Sequence, residues 1–276
     1  MMTLNCKGRL LTIGKPIVMG ILNATPDSFY TKGSANTIDD HLRKAEQMLT
    51  EGATILDIGG MSTRPNADEV SEAVELSRVI AVIEKIKEKF PESYISVDTY
   101  RSKVAATAVM AGADIVNDIS AGDMDHAMLQ TVAALNVPYI AMHMQGTPKD
   151  MQRNPNYEDV ALEVLKYFVN KIAACEQAGI KDIIIDPGFG FGKTIQHNYQ
   201  LLKQLHILTM LEKPLLAGIS RKSMIYKVLG TDAAQALNGT SALHILALQQ
   251  QAKILRVHDV KEAVECIALF EYYQQA

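Results

Sequence analysis

The stretch Ile183-Ile184-Ile185-Asp186-Pro187-Gly188 shows the pattern that decides the fold, a β-branched run that ends on a carboxylate. Apolar runs without strict alternation are typical of strands buried on both faces of a parallel sheet. The chain contains eight runs of this kind, and amphipathic segments of helical period lie between them. The predicted strands comprise residues 17–23, 53–60, 94–99, 115–120, 139–144, 182–188, 214–220 and 254–259.

Eight alternations of strand and helix predict an α/β fold, a closed (β/α)8 barrel of the TIM type. The chain has 276 residues, one such barrel typically needs about 250, and no linker divides the sequence. We therefore predict a single domain over residues 1–276. Residues 4–13, with a turn at Lys7-Gly8, predict a β-hairpin that closes the N-terminal mouth of the barrel.

Helical patterns and long loops fill the intervals between the strands. Gly52, Gly112, Gly179 and Gly230 each follow a helical pattern, where a left-handed C-terminal cap favours glycine. The loops 23–36, 59–68 and 144–157 follow strands, and long loops in such places usually carry function. The predicted helices comprise residues 37–51, 68–90, 101–111, 126–135, 157–178, 196–208, 222–229, 240–251 and 260–273.

Composition narrows the class of protein. A net charge of −4 argues against nucleic acid as a partner, although a few basic residues in a cleft can still bind a small anion. The three cysteines fit no metal or redox spacing, which is typical of a reducing compartment. No run reaches the roughly 18 apolar residues of a membrane span, and the N-terminus lacks a signal-peptide pattern. We expect a soluble, cytoplasmic protein.

Polar residues end most of the predicted strands, and barrel enzymes place their chemistry at these C-terminal ends. Together they suggest a pocket for a polar heterocycle that carries an anionic group. The set comprises Asn23, Asp57, Asp98, Asn117, His143, Asp186, Lys222, Arg256 and His258.

Two carboxylates carry most of this interpretation. Asp98 and Asp186 follow apolar runs, and a buried carboxylate is costly unless it receives hydrogen bonds. Either residue alone would more often cap a neighbouring loop. Together with Asn117 and Lys222 at one mouth, they match the donors and acceptors of an amino-oxo pyrimidine ring, such as a pterin or guanine.

Basic residues follow the last two strands, where barrel enzymes usually bind phosphate. Arg256 and His258 alternate along one strand, so they share a face and are candidate oxyanion ligands. The glycine-rich stretch 188–192 is one residue too short for a Walker A loop and instead suits a tight turn around a planar ligand, with Phe191 beside it. His143 has no partner at metal-ligand spacing, which favours a structural histidine.

Eight motifs, in order along nearly the whole chain, resemble those of the dihydropteroate synthases. Any one would be weak, but the ordered set is specific. They are Asn23-Ala24-Thr25-Pro26-Asp27-Ser28-Phe29; Asp57-Ile58-Gly59-Gly60 with Ser62-Thr63-Arg64-Pro65; Val97-Asp98-Thr99; Asn117-Asp118; Met142-His143-Met144-Gln145-Gly146; Asp186-Pro187-Gly188-Phe189-Gly190-Phe191-Gly192-Lys193; Ser220-Arg221-Lys222-Ser223; and Arg256-Val257-His258-Asp259-Val260.

The resemblance implies a transferase of folate biosynthesis, a homodimer and a sulfonamide target, that joins 6-hydroxymethyl-7,8-dihydropterin diphosphate to 4-aminobenzoate. It implies that Asp98, Asp186, Lys222 and Arg256 are catalytic, and that Asn23 contacts Mg2+. The implied pterin ligands are Asp98, Asn117, Asp186 and Lys222, and the implied diphosphate ligands are Asn23, Arg256 and His258. The implied 4-aminobenzoate site comprises Thr63, Arg64, Pro65, Phe191, Lys222 and Ser223.

Two departures from the family pattern leave alternatives open. The usual Asp-Gly-Gly after Phe29 is replaced by residues 30–34, and Met61 stands where the family has Glu. One alternative is a methyltetrahydrofolate-binding methyltransferase, which needs no diphosphate site. The other is a pterin-binding protein that has lost the chemistry of its first loop.

Overall fold

Eight parallel strands form the predicted barrel, which the computed structural model describes over residues 2–25, 37–61 and 70–276. Each strand is buried along most of its length, as the apolar runs predict. A hairpin of β1 (Met2–Cys6) and β2 (Arg9–Ile13) precedes the barrel. The barrel strands are β3 (Ile17–Asn23), β4 (Ile55–Gly59), β5 (Tyr94–Asp98), β6 (Ile115–Asp118), β7 (Tyr139–Met142), β8 (Ile183–Asp186), β9 (Leu216–Ala217) and β10 (Ile254–Val257).

The ring closes through its last strands. β10 pairs in parallel with β3, with Ile254 opposite Ile17. Between β8 and β9 a single parallel bridge joins Ile185 to Leu215, so β9 is the weakest member of the sheet. The predicted (β/α)8 architecture is confirmed, and all its connections bring the C-terminal strand ends to one mouth.

Helices surround the barrel, and several of them begin or end on signals present in the sequence. Thr37 and Thr194 accept hydrogen bonds at helix N-termini, and both form capping boxes. The four predicted cap glycines have φ between 66° and 127°, which confirms their left-handed conformation. The helices are α1 (Ile38–Thr50), α2 (Glu72–Lys89), α3 (Ser102–Ala111), α4 (Met128–Leu135), α5 (Val160–Ala178), α6 (Ile195–Lys203), α7 (Ser223–Leu229), α8 (Leu237–Gln249) and α9 (Val260–Gln275).

One predicted helix is wrong in its second half. The sequence pattern predicts a continuous helix over 196–208, but α6 ends at Lys203 and a 3-10 helix follows over Leu205–Leu211. Leu205 and Leu208 are both buried, and a repeat of three residues per turn puts them on one face. The apolar spacing therefore belongs to the tighter helix.

The hairpin closes the N-terminal mouth, as predicted. Leu4, Cys6, Leu11 and Ile13 pack against the lower interior residues of the barrel. Polar contacts fix the hairpin as well, because Lys7 Nζ donates to the carbonyls of Val109 and Ala113. Among the described helices, none has the length and apolar character needed to span a membrane.

Asp114 is the ionic anchor of this closed end, and its replacement by Asn should destabilise the fold. The carboxylate is 3% exposed and accepts from Arg9 at 3.0 Å, Lys87 at 2.8 Å and the backbone N–H of Ile95 at 2.9 Å. Asp114→Asn should lower the free energy of unfolding by about 2–3 kcal/mol, because two cations lose their charged acceptor. Urea unfolding measures this loss.

The matched control is Glu46→Gln, which breaks the ion pair between two exposed side chains, Glu46 and Lys89. Exposed pairs contribute at most about 1 kcal/mol, so the control should unfold close to the wild type. Equal losses in the two variants would show that Asp114 is no special anchor.

Candidate active site

A layer of polar side chains lies inside the barrel directly above its apolar floor. Residues two apart on a strand point to the same face. Several strands carry an isoleucine in the lower interior cluster and a polar residue two positions later. The pairs are Ile55 and Asp57, Ile115 and Asn117, Ile184 and Asp186, and Ile254 and Arg256.

Arg256 lies across this layer between two carboxylates. Its Nε donates to Asp57 Oδ2 at 2.6 Å and its Nη2 donates to Asp98 Oδ2 at 2.6 Å. Burial disfavours the guanidinium charge, but Asp57 and Asp98 outweigh that effect and raise the pKa of Arg256. Within the described part of the chain Nη1 makes no hydrogen bond, so one edge of the cation remains available to an anion.

Asp57 is the residue whose role the sequence analysis missed. It stands among the strand ends, but no ligand or supporting role was predicted for it. Besides Arg256, it accepts from Asn117 Nδ2 at 3.2 Å and is 1% exposed. Asp57 therefore orients both a predicted pterin ligand and a predicted diphosphate ligand. Its interior position two residues above Ile55 is the signal that could have found it.

Asp98 presents an unused acceptor to the interior. Its Oδ2 binds Arg256, while Oδ1 is buried and has no hydrogen-bond partner among the described residues. Burial raises the pKa of Asp98 to about 7, against the opposing effect of Arg256, and the nearby Asp57 adds to the rise. A buried acceptor without a partner is costly, so this oxygen is suited to a ligand.

Asp186 and Lys222 form the second charged part of the layer. Asp186 Oδ1 accepts from the backbone N–H of Gly188 at 2.8 Å, and burial raises the pKa of this carboxyl. Lys222 Nζ donates to the carbonyl of Phe189 and lies 4.8 Å from the centre of the Phe191 ring. Burial lowers the pKa of Lys222 to about 8, and the attraction of Asp186 opposes that effect.

The loop after β8 is folded tightly against the loop after β7. Gly188 has φ of 68°, and a Cβ there would lie 1.9 Å from the carbonyl oxygen of His143. Gly192 has φ of 58°, and its Cβ would lie 2.3 Å from the carbonyl oxygen of Gln145. These two glycines are required by close backbone approach, which supports the tight turn predicted from their spacing.

His143 is a buried structural histidine, in line with the sequence interpretation. Its Nδ1 lies 2.8 Å from Lys193 Nζ, and burial, with the repulsion of Lys193, lowers its pKa to about 2. The ring is therefore neutral. Among the described residues, no group of three or more His, Cys, Asp or Glu side chains is arranged to hold a metal ion.

In the segment after β9, one residue fixes the loop to α9 and another contacts His258. Arg221 Nε and Nη2 donate to the two oxygens of Asp259 at 2.7 and 2.8 Å, which fixes the loop to the base of α9. Ser220 Oγ lies 3.1 Å from His258 Nδ1 and also accepts from the backbone N–H of His258. Ser223 begins α7.

The remaining predicted site residues lie at or after the ends of β3 and β4 in the sequence. Asn23 ends β3 opposite Gly59, at the mouth. Met61, the departure from the family pattern, is buried at 8% exposure. The predicted 4-aminobenzoate residues Thr63, Arg64 and Pro65 lie outside the described residues, as do Asp27 and residues 30–34.

The fold and the site define a barrel enzyme whose C-terminal strand ends bring charged and amide side chains together at one mouth. The family model for pterin binding enzymes matches residues 19–258. The chain belongs to the dihydropteroate synthase family of these pterin-binding enzymes. It is 47% identical over 272 residues to the dihydropteroate synthase of Escherichia coli K12, covering 98% of this chain and 96% of that protein. Identity to the Haemophilus influenzae dihydropteroate synthase is 46%, over 98% of each chain.

Solved structures agree with this assignment. The Yersinia pestis dihydropteroate synthase with a sulfonamide drug complex superposes with a TM-score of 0.95 at 44% identity, over the whole of both chains. The Xanthomonas albilineans dihydropteroate synthase with 4-aminobenzoic acid gives 0.92 at 43% identity, covering 99% of this chain and 98% of that one. The same enzyme with 7,8-dihydropteroate gives 0.89 at 40% identity, over 99% of each chain.

Replacing Asp57 by Asn should lower the pKa of Asp98. The change removes the negative charge that disfavours ionisation of Asp98, and it leaves Arg256 to pair with Asp98 alone. The pKa of Asp98, about 7 in the wild type, should then shift toward its ordinary value of 3.8. NMR titration of protein labelled at the aspartate carboxyl carbons measures the shift.

The raised pKa of Asp98 also makes the free energy of unfolding depend on pH. The native state holds the Asp98 proton up to about pH 7, whereas the unfolded chain releases it near 3.8. The contribution of this group to the free energy of unfolding therefore decreases as pH rises through that window, and Asp57→Asn should flatten the decrease. An Asp98 titration that is unchanged or moves upward in Asp57→Asn would contradict the shared-cation arrangement.

Proposed function

We propose that this protein joins 6-hydroxymethyl-7,8-dihydropterin diphosphate to 4-aminobenzoate, giving 7,8-dihydropteroate and diphosphate in folate biosynthesis. The observation that carries the proposal is the polar layer. There, an Asp98 oxygen without a partner among the described residues lies beside Arg256, and Asp186 and Lys222 attract each other. Membership of the dihydropteroate synthase family supports the same reaction.

In the proposed complex, the pterin ring contacts Asp98, Asn117, Asp186 and Lys222. Carboxylates accept from the amino group and ring N–H of such a heterocycle, and an amide offers both a donor and an acceptor. Lys222 has one hydrogen bond to the described residues, so its remaining N–H groups can donate to the ring. The cavity thus supplies both kinds of partner that an amino-oxo pyrimidine requires.

The diphosphate lies beside Asn23, Arg256 and His258. The Nη1 edge of Arg256 suits an anionic oxygen because the other two nitrogens that donate are already held by carboxylates. Such a fixed cation is prepared before the substrate arrives, which makes it effective in stabilising a leaving group. As the carbon–oxygen bond breaks, Arg256 stabilises the charge that passes to the diphosphate. The amine nitrogen bonds to the methylene carbon and releases one proton to the departing diphosphate or to solvent.

In the proposed complex, 4-aminobenzoate lies beside Phe191, Lys222 and Ser223. We assign Thr63, Arg64 and Pro65, which follow β4 in the sequence, to the same site. Phe191 offers an aromatic face, and Lys222 stands beside that ring. Dihydropteroate synthase of Xanthomonas albilineans has been solved with 4-aminobenzoic acid, which supports this choice of second substrate.

Mg2+ fits the proposal as an ion carried mainly by the substrate. The described residues hold no cluster of acidic or histidine ligands for it, and Asn23 can offer one amide oxygen. Mg2+ commonly takes one or two protein ligands together with phosphate oxygens and water. When bound, it would neutralise charge on the diphosphate.

Release of diphosphate in the presence of both substrates is the experiment that tests the proposed reaction. The expected result is diphosphate and 7,8-dihydropteroate in equal amounts. Binding of the pterin without turnover would instead indicate a non-catalytic pterin-binding protein. Methyl transfer from methyltetrahydrofolate, with no diphosphate release, would indicate the methyltransferase alternative.

Replacing Asp186 by Asn should reduce kcat/KM by an amount equivalent to about 2–4 kcal/mol, from the usual worth of a buried charged hydrogen bond. The change removes the charge beside Lys222 and turns one acceptor into a donor. Steady-state kinetics measures the loss, with Asp123→Asn as the control because the Asp123 side chain is 62% exposed. Equal turnover in the Asp186 variant and the control would refute the pterin site.

We also propose that the protein forms a homodimer through an exposed apolar face on the last two helices. Leu269, Tyr272 and Tyr273 are 70%, 78% and 67% exposed, and their spacing puts them on one side of α9. Leu246 of the adjoining α8 is 45% exposed. Contiguous exposed apolar side chains mark association surfaces, and a second copy of the chain supplies a matching apolar face.

Leu269→Glu should therefore convert the dimer into monomer, because it places a charge in the buried apolar contact. Light scattering after size-exclusion chromatography measures the mass of each species. The control is Leu10→Glu, because Leu10 is 66% exposed on the hairpin at the closed end of the barrel. A dimer that persists in Leu269→Glu would exclude this face.

A further inference from the structure

Lys193 is a buried lysine to which the proposed function assigns no role, and burial lowers the pKa of its amine well below the usual range. It is 2% exposed and lies in the loop after β8. Within the described part of the chain it forms no ion pair with a carboxylate at salt-bridge distance, although Asp186 attracts it from further away. A lysine buried in this way is costly, so its hydrogen bonds must be well made.

Four acceptors surround the Lys193 amine, and the most distant of them is the carbonyl of His143 at 3.4 Å. Nζ lies 2.8 Å from Nδ1 of the neutral His143 ring and donates to the carbonyls of Gly188 and Phe191, both at 3.0 Å. The two carbonyls belong to the loop after β8, and His143 follows β7. One nitrogen atom therefore joins the two loops and fixes the turn between Gly188 and Phe191.

The turn that Lys193 fixes is the one that surrounds Lys222. The carbonyl of Phe189 accepts from Lys222 Nζ, and the Phe191 ring lies 4.8 Å from the same atom. Between them, Gly190 approaches the Lys222 stem so closely that a Cβ there would lie 3.3 Å from Cδ. A shift of the turn would move the Phe191 ring and the acceptor of Lys222 together.

We propose that Lys193 is a positioning residue for the reaction, which acts by holding the 188–191 turn so that Phe189 and Phe191 place the Lys222 ammonium at the substrate cavity. The inference rests on the proposed function, because Lys222 and Phe191 are assigned to substrates there. It predicts an effect on substrate use and not on stability alone.

Lys193→Met tests this inference, because the thioether side chain fills similar space and cannot donate. KM for 4-aminobenzoate should rise about tenfold or more as the Phe191 side of the site shifts, a size typical of small misplacements in active sites. Lys203→Met is the control, because Lys203 is an exposed lysine in the last turn of α6. A purely structural role would lower the yield of folded enzyme and leave KM unchanged.

The alkaline limb of the pH–rate profile gives a second readout. Lys222 faces Asp186 from β8, Asp98 from β5 and Arg256 from β10, it also repels Lys193, and burial lowers its pKa to about 8. Loosening the turn would hydrate Lys222, and loss of the Lys193 amine would remove its repulsion. Both effects raise that pKa, so the alkaline limb of Lys193→Met should move to higher pH. The Lys203→Met profile should match the wild type. An unchanged KM together with an unchanged limb in folded Lys193→Met would overturn the inference.

Tyr157→Phe keeps the inference testable if Lys193→Met does not fold. The Tyr157 hydroxyl donates to the carbonyl of Gly192 at 2.8 Å, so it holds the same loop next to Lys193. Its loss should raise KM for 4-aminobenzoate severalfold, while Tyr94→Phe, which removes a hydroxyl bond at the closed end, should not. An unchanged KM in Tyr157→Phe would then overturn the inference.

Wild-type turnover separates this inference from the proposed function. Absence of diphosphate release by the wild type would overturn both. Normal wild-type turnover with unaffected variants would overturn the positioning role of Lys193 alone.

Discussion

The structure of the site depends on one cation shared by two carboxylates. Arg256 reaches from the last strand to Asp57 and Asp98, which lie on β4 and β5, at 2.6 Å each. These contacts cross the interior of the ring between residues 199 and 158 positions apart in sequence. Removing one partner of such a buried set leaves an unpaired charge, which costs several kcal/mol. The barrel must therefore close correctly before this part of the cavity can form.

The same interior shows why a stable core and a reactive mouth can share each strand. Alternate residues of a barrel strand face inward, so a single strand can carry isoleucine at the floor and a polar group one layer higher. The hairpin seals the floor with Leu4 and Leu11, and water is excluded from below. Burial of the polar layer above this floor is the main reason why the pKa of Asp98 rises and that of Lys222 falls.

The sequence predicts the strands well, because burial on both faces leaves long β-branched runs. Asn117 and Asp186 were likewise predictable, since they end such runs and strand ends converge in a barrel. The pairing of Asp57 with Arg256 was not, because it depends on which side chains of distant strands meet across the ring. The 3-10 helix at Leu205–Leu211 was missed for a different reason, since apolar residues three apart also fit an ordinary helix.

The charges of the mouth also indicate how the site can accept a neutral ring and an anionic tail together. Three carboxylates, Asp57, Asp98 and Asp186, are opposed by the cations Arg256 and Lys222. Asp57 and Asp98 share one guanidinium, so they compete for it, and a proton on Asp98 relieves the excess negative charge below about pH 7. An anion at the free edge of Arg256 would weaken the hold of the cation on both carboxylates. Ring N–H donors that reach Asp98 Oδ1 would compensate for that loss, so the two parts of such a substrate would favour each other's binding.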